Sequence, residues 1–160
     1  DLTYGFSFSA NYKAFDFSVS ANGVAGNQLV QSYRNPGGFG NYTSAILDRW
    51  TGEGSSNTIP RVTENGSNFS QFSDLYVQDG DFLRINTVTL GMDLAKLNTS
   101  EKFFAKEFRV YFSILNLHTF TKYDGMDPEV GFGTGGTSSG VDIGYYPRPR
   151  TFMMGLNVKL

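Results

Sequence analysis

Cysteine is absent from this 160-residue chain, which excludes disulfides and thiolate metal sites. Histidine occurs once, at His118. A Ser-His-Asp triad or a His-based metal site would need partners that the sequence does not place, so His118 is read as a wall residue. Charge is sparse as well: 18% of residues are charged and the net charge is −2, which gives no electrostatic footprint for nucleic acid. No window approaches the run of about 20 apolar residues that a transmembrane helix needs. Neither a signal peptide nor an initiating Met is seen, and Asp1 stands directly before a strand. The expectation is a processed front or a piece of something longer.

What the chain has instead is alternation, with 16% aromatic residues and 19 glycines. Leu2, Tyr4, Phe6, Phe8 and Ala10 alternate with Thr3, Gly5, Ser7 and Ser9, a period of two. After a tight link at 11–14, Phe15, Phe17, Val19 and Ala21 oppose Asp16, Ser18, Ser20 and Asn22, which predicts a hairpin. A third strand is expected over 81–94, with Val88, Leu90, Met92 and Leu94 on one parity. Leu83 and Ile85 fall on the other parity, which predicts a bulge or a move out of the apolar layer near Asn86. A charged link at 95–107, with a brief helix, leads to a fourth strand carrying Phe108, Val110, Phe112 and Ile114. The fifth sets Phe152, Met154, Leu156, Val158 and Leu160 against Met153, Gly155, Asn157 and Lys159.

Two stretches, 26–74 and 122–148, have no period and are rich in Gly, Ser and Pro. The first carries Tyr33, Phe39, Tyr42, Trp50, Phe69 and Phe72, too many aromatics for a linker. It is expected to be an ordered, elaborate loop with a short helical turn near Ser44 to Arg49.

Alternating strands fit a soluble sandwich with an apolar core and a membrane barrel with an apolar outer face equally well. Three features favour the barrel. The polar faces of the first two strands carry Thr, Gly, Ser, Asp and Asn but no Lys or Glu, whereas exposed sheets use such charges against aggregation. Connections run short, very long, medium and long, as when short links face the periplasm and long loops face outward. Finally, the strands are too few to close a barrel of about eight or more or to make a sandwich of about seven, so a fragment is expected.

Four segments in order, Ile46 to Val62 (ILDRWTGEGSSNTIPRV), Asp79 to Leu94 (DGDFLRINTVTLGMDL), Arg109 to Glu129 and Tyr145 to Leu160, resemble the C-terminal part of SusC/RagA-like TonB-dependent transporters. The resemblance implies an all-β transmembrane antiparallel barrel of about 22 strands, of which residues 1–160 would supply the last five. It also implies an upstream barrel, a plug and a TonB-contacting segment outside this chain. Its setting would be the bacterial outer membrane and its lipid, with glycans or peptides imported beneath a SusD-like surface lipoprotein. No catalytic residue, cofactor or metal is implied. Gly155, Val158 and Leu160 fit the Gly-x-x-apolar-x-apolar ending that barrel-insertion machinery reads. Departures from the pattern are Leu160 in place of Phe and Met92 where Tyr is common.

For a site, Trp50 with Arg49 beside it and Tyr42 nearby is the best candidate for ligand or lid contact. Aromatic faces stack on sugars, and Arg binds carboxylates. The competing role, weighed ahead of it, is that Trp50 pins its loop to neighbours or to the lid. Arg148 and Arg150 are placed at the barrel rim. Asp79 and Asp81, and Asp124, Asp127 and Glu129, lack the spacing of a calcium loop, and Asp-Gly is ordinary turn chemistry. The Gly-rich segment at 131–140 does not link a strand to a helix as a phosphate loop must. Two other functions stand beside import: a secreted β-sandwich carbohydrate-binding module, and a structural or adhesin-like surface sheet. Detergent dependence separates a barrel wall from a binding module.

Overall fold

A computed structural model describes residues 1–33, 44–63, 71–98, 105–129 and 140–160. Among them are eight strands: β1 (Leu2–Tyr12), β2 (Phe15–Ala25), β3 (Gln28–Gln31), β4 (Val77–Asp79), β5 (Phe82–Asp93), β6 (Glu107–Thr121), β7 (Val141–Asp142) and β8 (Thr151–Lys159). A 3-10 turn spans Ser44–Asp48, another spans Asp74–Tyr76, and a single α-helical turn, α1, spans Leu94–Leu97. The chain divides into two compact units, one of residues 1–27, 81–122 and 147–160, the other of residues 28–80 and 123–146.

The first unit is an open five-stranded sheet in the order β1-β2-β5-β6-β8, with every pair antiparallel. Its strands are those the alternation predicts. Register carries the alternation across the sheet. Phe8, Val19, Val88, Ile114 and Phe152 share one row, and Ala10, Phe17, Leu90, Phe112 and Met154 share the next. Tyr12, Phe15, Met92, Val110 and Leu156 make a third. Side chains two apart on a strand share a face, so these rows form one continuous apolar surface. It is not a core: Phe6 is 54% exposed, Phe112 44% and Met154 79%. A strand of this length, at about 3.3 Å per residue and tilted about 40°, rises about 25 Å, the height of a barrel's apolar band.

The predicted bulge is present. Val19 to Ala21 on β2 faces Val88 to Ile85 on β5, which in turn faces Ile114 to His118 on β6. Each strand therefore carries one residue more than its neighbour before pairing resumes. The shift turns Leu83 and Ile85 back to the apolar face, opposite Gly23 and Ala21. Asn116 absorbs part of the excess in the left-handed region, at φ 52°. His118 lands beside Ile85 and meets Phe120 edge-on with centroids 4.5 Å apart.

The opposite face is polar and joined across strands. Arg109 on β6 donates from Nε and Nη2 to the two carboxylate oxygens of Asp16 on β2, at 2.8 and 2.6 Å. Between them β5 contributes Gly91, where a Cβ would collide with both groups. Thr89 and Ser113 share a hydroxyl–hydroxyl bond of 2.7 Å. At the short-turn end, β1 and β2 join through Lys13 and Ala14, with Lys13 at φ 53°. Asp93 caps α1 by accepting from Ala95 N, and it also accepts from Phe108 N.

The second unit departs from expectation. The aperiodic stretches supply β3 and β7 of a three-stranded sheet of order β4-β3-β7, in which β3 pairs antiparallel with β4 and parallel with β7. Strands of two to four residues are too short to show a period. Leu29, 1% exposed, and Tyr123, 6% exposed, form its apolar centre, with Tyr145 packed against them. Asp142 is fully buried. It accepts from the Tyr123 hydroxyl at 2.6 Å and from Gly144 N at 2.8 Å, so its carboxylate is satisfied on both oxygens.

Burial, with the Asp142 carboxylate beside it, raises the Tyr123 phenol above its ordinary value of 10.0. A raised folded-state value means that the stabilisation is fully present below pH 10.0 and is lost as pH climbs toward the folded value. Tyr123→Phe leaves a buried carboxylate short of a donor and should cost about 1.5–3 kcal/mol at neutral pH. It should also remove part of the alkaline loss. Hydrogen exchange of the β3 and β7 amides at pH 7 and above pH 10 reads both effects.

Candidate functional site

Two places carry the predicted site residues: the loop around Trp50 and the strand β8. The loop is built from serine hydroxyls. Ser55 Oγ accepts from Thr51 N at 2.8 Å and Gly52 N at 3.1 Å, and donates to Gly52 O at 2.6 Å. Gly54 supplies the left-handed residue of this turn, at φ 79°. Ser56 Oγ accepts from Ile59 N at 3.2 Å, and Trp50 N donates to Ile59 O at 2.9 Å. These bonds close residues 50–59 into an ordered loop without a strand or helix of its own.

A wide, open depression of about 440 Å³ lies in this loop, lined by Trp50 and residues 56–61. Trp50 is 39% exposed. Arg49, its neighbour in sequence, donates from Nη1 to Ile46 O at 3.1 Å, closing the preceding 3-10 turn. Arg61 lines the depression with Trp50 instead. Sequence reasoning missed Arg61, because it lies eleven positions beyond Trp50 and the loop is folded back by hydrogen bonds, among them Trp50 N to Ile59 O, that the sequence does not announce. Tyr42 lies outside the described residues.

On β8, Val158 pairs with Phe108 and Gly155 with Tyr111. Val158 is 49% exposed and Leu160 78%, both without cover on the apolar side. Gly155 has a local role besides any signal: the Tyr111 ring lies over it, in the space a Cβ would take. Arg109 sits over that same ring, 4.9 Å from its centroid. Gly155→Val should therefore push Tyr111 off β8 and destabilise the β6–β8 pairing by about 1–3 kcal/mol. The denaturant midpoint of the assembled protein checks this, and Tyr111→Ala should relieve much of the cost.

Of the acidic residues considered for calcium, Asp81 and Asp127 accept from backbone amides. Asp81 Oδ1 accepts from Gly26 N at 2.6 Å and Asn27 N at 3.2 Å, and Asp127 Oδ1 accepts from Glu129 N at 2.9 Å. Among the described residues no group of three or more metal-ligating side chains comes together.

An open antiparallel sheet with one unbroken, exposed apolar face and a bonded polar face is a segment of a membrane β-barrel wall. No family profile matches the chain. It is 32% identical over 99% of its length to a TonB-dependent receptor of Formosa agariphila. It is 29% identical, again over 99%, to the TonB-dependent receptor SusC of Bacteroides thetaiotaomicron. Among solved structures it resembles the RagAB peptide importer in its open-open state, with a TM-score of 0.77 at 23% identity over 99% of the chain. The closed-closed state gives 0.76 at 25% identity over 98%. The chain belongs to the SusC/RagA-like TonB-dependent receptors. It spans 17% and 15% of the two curated relatives and 17% of each RagAB chain.

Proposed function

We propose that this chain is the C-terminal wall, with two extracellular loops, of an outer-membrane TonB-dependent importer of glycans or peptides. The observation that carries the reading is the exposed apolar face, continuous over five strands, in a chain that aligns end to end with one portion of much longer receptors. Water would penalise such a face, whereas lipid accommodates it. In this reading the Lys13–Ala14 turn and the 94–106 link face the periplasm, and the long connections face outward. A plug and the remaining strands come from upstream, with TonB contacted there and a SusD-like lipoprotein closing the top. The Tyr42, Arg49 and Trp50 region then lies where substrate or lid arrives.

Cell fractionation tests this. The full receptor carrying this segment should be found in the outer membrane, require detergent for extraction, and migrate faster on gels unheated than boiled. A 160-residue piece that is monodisperse and melts cooperatively in plain buffer would overturn it.

A further inference from the structure

The depression beside Trp50 presents an unusual set of uncommitted groups. The lone pairs of Ser55 and Ser56 are engaged by backbone amides, so the loop is held from within. Yet among the described residues the side chains of Asn57, Thr58 and Arg61 make no hydrogen bond or ion pair, and all three are exposed. They line the same depression as Trp50. An amide, a hydroxyl, a guanidinium and an indole around one depression complement a flat, polyhydroxylated ring that carries an acid. The ring's C–H face stacks on the indole, its hydroxyls meet Asn57 and Thr58, and its carboxylate takes the bidentate fork of Arg61. A peptide would seek a free strand edge, and here the Trp50 amide is already bonded to Ile59 O.

We infer that this depression is a subsite for a carboxylated sugar residue, so that the glycan approaching this loop is acidic. The inference rests on the import reading for the loop's access to the outside, but its test does not use transport.

Binding is measured by titration calorimetry on the full-length receptor in detergent. The probes are a galacturonic acid tetramer, a mannuronic acid tetramer, neutral maltotetraose and an acidic tetrapeptide. At least one acidic tetramer should bind at least tenfold more tightly than maltotetraose and the peptide. Trp50→Ala should weaken that binding at least tenfold. Arg61→Gln should bring the acidic tetramer close to maltotetraose while leaving maltotetraose unchanged, and Arg61→Lys should recover part of the difference. Thermal unfolding of each variant in detergent should match the parent receptor, since both side chains are exposed. Absence of binding by both acidic tetramers, equal binding of the peptide, or indifference to both substitutions would overturn the inference. None of these results bears on the barrel reading, which fractionation decides separately.

Discussion

Phe6→Arg is expected to destabilise the assembled barrel by about 2–4 kcal/mol, whereas Ser7→Arg, one residue on, is expected to be tolerated. Both positions lie in the middle of β1, and both are exposed in the isolated sheet. Packing within the segment therefore cannot separate them. What separates them is parity. Phe6 stands in the row of Ala21, Ile85 and His118 on the apolar face, and Ser7 in the row of Ser20 and Thr87 on the polar face. A guanidinium at mid-height on the first face meets hydrocarbon; on the second it meets a polar interior. Urea titrations of the full receptor refolded into vesicles give the two values. Equal damage at both positions would mean that the faces have been assigned the wrong way round.

The combined substitution Val158→Asp and Leu160→Asp should abolish membrane assembly while leaving synthesis intact. Side-chain exposure at these positions means that little packing inside the sheet is lost. Carboxylates near the end of the apolar band cost only about 0–1 kcal/mol each, too little to unfold a large barrel. A complete loss of heat-modifiable protein from the outer membrane would therefore report failed recognition of the ending. The same variant refolded from urea into detergent should still form the barrel. If it assembles normally in cells, Val158 and Leu160 are ordinary wall residues.

The wall was readable in the sequence because each long strand repeats its period several times and one face is uniformly apolar. Even the Asn86 bulge was legible, since Leu83 and Ile85 broke parity. The second unit was hidden for two physical reasons. Its strands are too short for a period, and β3 and β7 pair across more than a hundred residues, Val30 with Val141, through backbone bonds that no side-chain pattern announces. The Asp16–Arg109 pair was hidden for the same reason of distance, since it depends on register across three strands. At the candidate site, adjacency in sequence could not show the loop's return: Arg49 Nη1 donates to Ile46 O, and Arg61, distant along the chain, lines the same depression as Trp50.

The parallel pairing of β3 with β7 also bears on how such receptors diversify. The two long connections supply separate strands to one sheet, and Asp142 from the second is satisfied by Tyr123 while Val141 and Asp142 pair with Val30 and Gln31 of the first. A recombination event that replaced residues 28–80 alone would leave β7 without Val30 and Gln31, although Asp142 would keep Tyr123 and Gly144. Chimeras that exchange the segments 28–80 and 123–146 together are therefore expected to be recovered more often than those that exchange one alone.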